Sequence, residues 1–368
     1  MNLRVKDAAT PMVRYLVLIA CLAAGSAPAA PRLEDIRLPA GFRISVYADH
    51  VQGARALALG ERGTVFVGSA EGNVYAIAPN GGAVRVVARG LRGPHGVAVH
   101  KGALYVAEIG RILRYDNIEG HLGDPPQPAV VADDLPRETH HGLKPIRFGP
   151  DGLLYVGVGS PCNVCEPDAA HGIIARLDPA GGKREVYARG IRNSVGFDWD
   201  PRTKELWFTD NGADNMGNDV PPDELNHAPR AGMNFGFPYC HGGDLSDPRY
   251  GRGHPCSEFT PPARKLGAHV ASLGMRFYTG DKFPAEYRGA IFIAEHGSWN
   301  RSPKAGYRVS VVRPGASGTP TYQSFAEGWL QGDTSWGRPV DVLVAPDGAL
   351  LVSDDKAGVV YRIDYAPR

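Results

Sequence analysis

Apolar and polar residues alternate in short runs along most of the chain, and the pattern recurs as similar units. Each unit starts with alternating apolar residues, passes through a turn that is often Pro-Asp-Gly, and continues into a second apolar run that ends in small or acidic residues. Several units add a third run such as NVYAI, RILRY or VVYRI. A period of two is typical of β-strands, so every unit is predicted to be a small sheet. The units start at positions 56, 96, 145, 196, 274 and 341.

Sheets of this size cannot bury both faces alone, but six packed radially can, which predicts an all-β, six-bladed β-propeller. A β-sandwich does not explain six similar units, and a β-helix needs a shorter, stricter period. The lone apolar run at 41–51 is expected to pair with the last blade, at 341–365, and close the ring. The wider spacings at 213–270 and 298–335 are predicted to be long loops.

The composition agrees with a β-rich fold and argues against one class of partner. The 47 Gly and 31 Pro residues are spread along the chain, as expected of many short strands joined by turns. A net charge of +1 without a basic run argues against a nucleic-acid partner.

The first 29 residues have the pattern of a secretory signal peptide. Arg4, Lys6 and Arg14 precede a short apolar core and the small-residue stretch SAPAA, and cleavage is expected after Ala29. A lipoprotein box ending at Cys21 is the alternative, which would leave a lipid anchor. No other segment is suited to crossing a bilayer. The expected product is a periplasmic or secreted single domain spanning residues 30–368.

Four cysteines remain after such a cleavage. In an oxidising compartment an even number favours two disulfides, and we expect the neighbouring pairs Cys162–Cys165 and Cys240–Cys256. Free thiols are the alternative. A zinc site is less favoured because a second C-x-x-C pair is missing.

Unusual polar residues occur where loops meet the blades, so a propeller would gather them around one mouth of its channel. Arginines suit carboxylates, histidine can act as a base near neutral pH, and oxygen-rich loops suit calcium. Together they suggest a polyanionic cofactor bound through a metal. The residues are His95, His140, His141, Arg192, Asn193, Asp210 to Asn215, His296 to Arg301, Trp336, Arg338 and Asp341.

The sequence also contains long motifs, which are THHGLKPIRFGPDG, PCNVCEP, GIRNSVGFDW, PPDELN, FGFPYCHGGD, FIAEHGSWNRS and GRPVDVLVAPDGALLVSDD. As a set they resemble the sorbosone dehydrogenase family, which is related to soluble periplasmic sugar dehydrogenases that use pyrroloquinoline quinone (PQQ). The resemblance covers residues 35 to 365. It implies a six-bladed propeller with PQQ at the central mouth, calcium bridging PQQ to the protein, and a histidine base.

Roles follow from matching positions. The resemblance implies that His141, eight residues before a Gly-Pro-Asp turn, is the catalytic base, and that His140 orients it or lines the pocket. Where relatives carry two arginines before Asp-Val, this sequence keeps Arg338 and has Val340. The implied cofactor contacts are Arg192, Asn193, Arg338, Arg301, His296, His95 and Trp336. The implied metal ligands are Gly212, Ala213, Asp223 and Glu224.

The first hypothesis is therefore PQQ- and calcium-dependent oxidation of a sugar, sugar aldehyde or related alcohol. A soluble acceptor, a cytochrome or a quinone, would take the electrons. Two alternatives stay open, because function resides in the site and not in the fold. One is a calcium-dependent hydrolase such as a lactonase; the other is a non-catalytic propeller that binds a glycan or protein.

Overall fold

The computed structural model describes residues 31–313 and 320–367. The predicted signal peptide and Cys21 lie outside the described residues. Strand β1 (Phe42–Ala48) comes first, after a 3-10 turn at Leu33–Asp35. The next two sheets have four strands each. Blade 1 contains β2 (Ala54–Leu59), β3 (Val65–Ser69), β4 (Val74–Ile77) and β5 (Val84–Ala88). Blade 2 contains β6 (Gly96–His100), β7 (Ala103–Glu108), β8 (Arg111–Tyr115) and β9 (Ala129–Ala132).

The next two blades carry the longest connections. Blade 3 contains β10 (Ile146–Phe148), β11 (Leu154–Val158), β12 (Ile173–Leu177) and β13 (Glu185–Arg189). Blade 4 contains β14 (Phe197–Trp199), β15 (Leu206–Asp210), β16 (Pro222–Ala228) and, after three short strands, β20 (Arg264–Ala268). Those short strands are β17 (Met233–Asn234), which joins the outer edge of blade 3, and the hairpin of β18 (Cys240–His241) and β19 (Leu245–Ser246).

The last two blades complete the ring. Blade 5 contains β21 (Ser272–Phe277), β22 (Ile291–Glu295), β23 (Arg308–Arg313) and β24 (Thr321–Glu327). A hairpin of β25 (Leu330–Gln331) and β26 (Thr334–Ser335) follows. Blade 6 contains β27 (Pro339–Val344), β28 (Leu350–Asp354) and β29 (Val359–Tyr365). Further 3-10 turns occupy Ile118–Gly120, Cys256–Glu258 and Ala285–Tyr287.

The ring closes as predicted, because β1 pairs antiparallel with β29 and becomes the outer strand of blade 6. Phe42 strengthens this closure. Its ring lies 4.8 Å from Phe283, 5.0 Å from Phe325 and 4.9 Å from Tyr365, measured between centroids. The first strand is therefore fixed to the last blade by both backbone pairing and aromatic packing.

The prediction of long loops at 213–270 and 298–335 was wrong in part. The first range contains β16 and β20, which are outer strands of blade 4, and the second contains β23 and β24 of blade 5. β16 carries the buried polar residues Asp223, Glu224 and Asn226, which interrupt its apolar pattern, and β20 and β24 are partly exposed.

Six inner strands, β2, β6, β10, β14, β21 and β27, surround a central channel. We call the end at which they begin the upper mouth, and the other end the lower mouth. A cavity of about 370 Å³ in the lower part is lined by residues of all six strands. The ion pairs Arg147–Asp198 (3.1 Å) and Arg276–Asp341 (3.2 Å) join neighbouring inner strands along this channel. Asp341 therefore lies inside the channel and not at the upper mouth, where the sequence pattern had suggested it.

Candidate active site at the upper mouth

Acidic residues at the ends of second strands hold the loops of the upper mouth. Asp210 accepts the backbone N–H groups of Arg192 (2.9 Å) and Asn193 (2.6 Å), which precede the inner strand of the same blade. Asp354 does the same for Arg338 at 2.9 Å. These bonds satisfy backbone donors that would otherwise be buried without partners. The acidic strand ends seen in the sequence thus fix the loops that carry the polar residues.

His141 is the best-defined candidate base. Its Nδ1 lies 2.8 Å from the carbonyl oxygen of Ser160, and since a carbonyl can only accept, Nδ1 carries the proton. Its Nε2 forms no hydrogen bond with any described residue. Burial, reinforced by the charges of Arg192 and His140, lowers the pKa of His141 to about 3. The ring is therefore neutral at physiological pH, with the Nε2 lone pair available to accept a proton.

The surroundings of His141 leave it little freedom. A Cβ on Gly159 would lie 2.6 Å from the Cβ of His141 and 3.0 Å from Oδ1 of Asn193, so only glycine fits between them. The ring of His140 lies 4.0 Å away, between centroids, but His140 itself is exposed. His141 and Asn193 thus both lie against Gly159.

Two hydrogen-bonded networks meet at this mouth. The first network consists of His141, Ser160, Asn163, Arg192 and Asp214. Arg192 is only 4% exposed, and its Nη2 lies 2.8 Å from an oxygen of Asp214. Because its other hydrogen bonds go to Asn163 and to the Asn211 carbonyl, Arg192 mainly joins neighbouring loops. Fewer of its donors remain for a ligand than the sequence had suggested.

The second network consists of His95, Arg55, Asp355, His296 and Arg338. Arg55 donates to His95 Nδ1 at 3.0 Å and to Asp355 at 2.7 Å. His296 donates to the other side of Asp355 at 2.9 Å. Arg338 donates to the carbonyls of His296 (3.0 Å) and Gly297 (2.9 Å). Five residues from four blades and the intervening loops are thus brought together.

The charges of the second network favour an anion. Burial lowers the pKa of His296 to about 4 and holds the pKa of His95 well below 6.5, so both rings are neutral. Burial alone would raise the pKa of Asp355, but the hydrogen bond from His296 and the nearby positive charges lower it to about 2. Two arginines therefore face one carboxylate. The Nε2–H of His95 is buried without a partner among the described residues, so it is a donor awaiting an acceptor.

The two remaining predicted cofactor contacts lie elsewhere. Trp336 donates its Nε1–H to the Gly328 carbonyl at 2.9 Å and packs near Trp329 and Tyr361 in the core of the last blades. Arg301 lies on the rim, where it pairs with Asp219 at 3.1 Å. Trp336 thus stabilises the core of the last blades, and Arg301 stabilises a loop of the rim.

Arg55 was missed by sequence reasoning. It sits in the apolar run ARALAL and belongs to no motif, although its position at the start of an inner strand matches that of the other mouth residues. Lys144 was also missed. Its ammonium group is buried, with the residue 1% exposed, and donates to the Gly142 carbonyl at 2.6 Å, directly after His141.

Comparison with known proteins decides the family. The family model for glucose/sorbosone dehydrogenase matches residues 128–362. The chain belongs to the glucose/sorbosone dehydrogenase family. An uncharacterised protein of Borreliella burgdorferi is 32% identical over 345 residues, covering 90% of this chain and 91% of that protein. The family predicted from the motifs is thus confirmed.

Solved structures share the fold of this glucose/sorbosone dehydrogenase family member. A calcium structure of a Trichoderma reesei family AA12 enzyme has a TM-score of 0.78 at 21% identity, covering 93% of this chain and 98% of that one. The holo PQQ domain of pyranose dehydrogenase from Coprinopsis cinerea has a TM-score of 0.76 at 20% identity, covering 92% and 99%. At this identity the likeness shows the six-bladed fold, as predicted.

The predicted metal ligands divide into two groups. The carbonyl oxygens of Gly212 and Ala213 accept no hydrogen bond from the described residues. Asp223 instead accepts backbone N–H groups of Gly212 (2.9 Å) and Ser272 (2.8 Å). Glu224 accepts from the Gly242 N–H at 2.7 Å and the Asn226 side chain at 3.0 Å. The two carbonyls thus accept nothing from the described residues, whereas the two acids support the loop that carries them.

Both disulfides predicted for the family member form. Cys162 and Cys165 are joined with a Cα–Cα distance of 6.1 Å, and Cys240 and Cys256 with 5.4 Å. Among the described residues, no helix is long and apolar enough to span a membrane.

Proposed function

We propose that this chain is a PQQ- and calcium-dependent dehydrogenase that oxidises a sugar, a sugar aldehyde such as a sorbosone, or a related alcohol. Family membership and the donor set of the upper mouth support this. The observation that carries the proposal is the neutral His141 ring, which has its tautomer fixed by Ser160 and its Nε2 free.

The residues suit a polyanionic quinone. Arg338, Arg55 and the unpartnered His95 Nε2–H are donors for its carboxylates, with Asn193 beside His141. The Gly212 and Ala213 carbonyls would hold calcium, with Asp223 and Glu224 holding their loop. His296 orients Asp355, and Arg192 links the base to the metal loop. When bound, PQQ supplies the two-electron acceptor for substrate hydride.

In this proposal His141 accepts the hydroxyl proton of the substrate at Nε2. Losing that proton makes departure of hydride from the same carbon favourable. Protonated His141 is stabilised by its Nδ1–H bond to Ser160, which also keeps the ring from turning away. The partner expected to receive the electrons is a soluble acceptor, a cytochrome or a quinone.

We also propose that the protein works outside the cytoplasm, in the periplasm or after secretion. The two disulfides support an oxidising compartment, since such bonds are rare where thiols are kept reduced. The signal peptide expected at residues 1–29 agrees with this location.

The lactonase alternative finds less support. A side chain-only calcium centre needs several acidic groups converging on one point. Residues 31–313 and 320–367 contain no group of three or more His, Cys, Asp or Glu side chains that could hold a metal.

The test is a titration of the purified protein with PQQ, with and without calcium chloride, followed by the cofactor absorbance. Aldoses and sugar aldehydes are then added with an artificial electron acceptor, and lactones are assayed in parallel. Calcium-dependent binding and sugar-dependent dye reduction are expected. No binding at micromolar PQQ with calcium present, or lactone hydrolysis without PQQ, would overturn the proposal.

A further inference from the structure

The segment closed by the Cys162–Cys165 disulfide lies between the candidate base and the loop of the candidate metal ligands. It begins at Ser160, directly after the glycine that faces His141, and it holds Asn163 between its two cysteines. No role follows for this segment from the proposed chemistry itself. Its contacts, however, reach both functional parts of the site.

Asn163 forms four hydrogen bonds with two residues, Arg192 and Asp214. Its backbone carbonyl accepts Arg192 Nε–H at 2.9 Å, and its Oδ1 accepts Arg192 Nη2–H at 2.7 Å. The same Oδ1 accepts the Asp214 backbone N–H at 2.8 Å, while Nδ2 donates to the Asp214 carbonyl at 3.0 Å. Only one orientation of the amide satisfies all these contacts, because Oδ1 must face donors and Nδ2 an acceptor.

Asp214 directly follows Ala213, so these bonds fix one end of the Gly212–Ala213 loop. Arg192 reinforces the attachment, since its Nη2 lies 2.8 Å from the Asp214 carboxylate. Two bonds to the Asp214 backbone and one through Arg192 thus set where the Gly212 and Ala213 carbonyls point. Asn163 follows β11 of blade 3, whereas the Gly212–Ala213 loop follows β15 of blade 4, so part of the support for this loop comes from a neighbouring blade.

The other end of the segment holds the base. The Ser160 carbonyl accepts His141 Nδ1–H at 2.8 Å, and the Ser160 N–H donates to the Arg192 carbonyl at 2.7 Å. Ser160 Oγ lies 3.1 Å from Cys162 Sγ. The disulfide closes the loop from Cys162 to Cys165 and so restricts the backbone at Asn163, and the Ser160 hydroxyl contact connects Ser160 to this loop. The base and the metal loop therefore share one support.

We propose that the disulfide-closed segment 160–165 is a positioning element of the active site, and that Asn163 is the positioning residue for the Gly212–Ala213 carbonyls and for Arg192. This rests on the proposed function for the identity of the ligands. Neither Asn163 nor the disulfide touches the reacting atoms; both act through Arg192, Asp214 and Ser160.

Two disulfide variants separate this role from general stabilisation. Removing a bridge costs more stability when it closes a longer loop, so Cys240→Ser/Cys256→Ser, with a sequence separation of 16, should lower the melting temperature more than Cys162→Ser/Cys165→Ser, with a separation of 3. Affinity should follow the opposite order. We expect the 162/165 variant to lose about 10- to 100-fold in calcium and PQQ affinity, as for other supports of metal ligands.

The 240/256 variant should lose less affinity than the 162/165 variant, because its bridge reaches the metal loop only indirectly, through the Gly242 N–H that donates to Glu224. Asn163→Ala should resemble the 162/165 variant in affinity, and should change KM and cofactor affinity more than the stability of the fold. Affinities of the 162/165 and Asn163 variants equal to the wild type, or affinity losses that simply follow the loss of melting temperature, would overturn the proposal.

A ligand-free measurement keeps this test separate from that of the proposed function. Amide hydrogen exchange of the apo-protein should be faster at Ser160 and at 211–214 in Asn163→Ala than in the wild type, whether or not PQQ binds. Unchanged exchange there would overturn the positioning role. If the wild type binds neither PQQ nor calcium, the proposed function fails, and faster exchange in the variant would still support Asn163 as the support of this loop.

Discussion

His141 donates its Nδ1 hydrogen to the backbone carbonyl of Ser160 at 2.8 Å, and this bond sets the tautomer of the candidate base. A carbonyl partner holds the neutral tautomer without adding a negative charge that would raise the pKa. Burial and two positive neighbours then lower the pKa of His141 to about 3. The ring is a weak base in the resting protein, but it is available over the whole physiological pH range.

The pH profile should reflect this environment. Because the pKa of His141 is lowered to about 3, its ring stays neutral well below pH 6.5. The kcat/KM of the PQQ-loaded protein should therefore remain constant as the pH falls through 6.5, and should decrease only as the pH approaches the pKa of His141. His140→Gln removes one of the positive charges that lower the pKa of His141, so its acid limb should move to higher pH. A wild-type limb at or above pH 6.5, or a shift to lower pH in the variant, would contradict this. Circular dichroism at each pH checks that the fold persists.

Gly159 should be required for the placement of the base. Gly159→Ala adds a Cβ at 2.6 Å from the His141 Cβ, so the ring must move, and kcat/KM should fall by about 100-fold. Gly123→Ala is the matched control, because a Cβ there meets nothing within 4 Å. Equal activities of the two variants in a steady-state sugar assay would show that His141 tolerates displacement.

Trp299 is a candidate platform for the substrate. It is 70% exposed on the loop after β22, and the adjacent Asn300 side chain lies 3.3 Å from the Asp214 carboxylate at the mouth. Stacking against a sugar ring predicts that Trp299→Ala raises KM by about 3- to 10-fold with little change in kcat. Val220→Ala, at a residue 41% exposed on a nearby loop, is the control. A fall in kcat at unchanged KM would exclude a binding role.

The closure of the ring predicts a stability effect. Phe42→Ala removes an aromatic side chain that contacts both blades 5 and 6, and should lower the free energy of unfolding by about 3–5 kcal/mol. Val46→Ala on the same strand, at a residue 40% exposed, should cost much less. Thermal denaturation of both variants measures the difference. Similar melting temperatures would mean that β1 adds little to the closed ring.

The sequence pattern predicted the blades because inner strands are buried and alternate clearly, as in the run that contains Val97. It also predicted the closure by β1, since the strand at 41–51 belongs to no unit of its own and could pair with the last blade. The outer strands at 213–270 were missed because β16 buries the polar residues Asp223, Glu224 and Asn226 and because the edge strand β20 is only partly buried.

The site was predictable only in part, because proximity along the chain does not determine where a side chain points. Trp336 and Asp341 are close in sequence to Arg338, which lies at the mouth. Trp336 nevertheless packs in the core of the last blades, and Asp341 lies inside the channel. Arg55 carried no motif. The partners of Arg192 come from loops 29 and 22 residues away, at Asn163 and Asp214, and only the folded ring brings them together.

The most direct test of the central claim is a single-turnover experiment on protein loaded with PQQ and calcium, in which substrate sugar is mixed rapidly and bleaching of the quinone is followed. His141→Asn is the informative variant, because asparagine tolerates the positive φ of 49° at this position. Loss of the base should slow bleaching by about 10²- to 10⁴-fold while cofactor affinity stays nearly unchanged. Bleaching at the wild-type rate in this variant would contradict the assignment of His141 as the base.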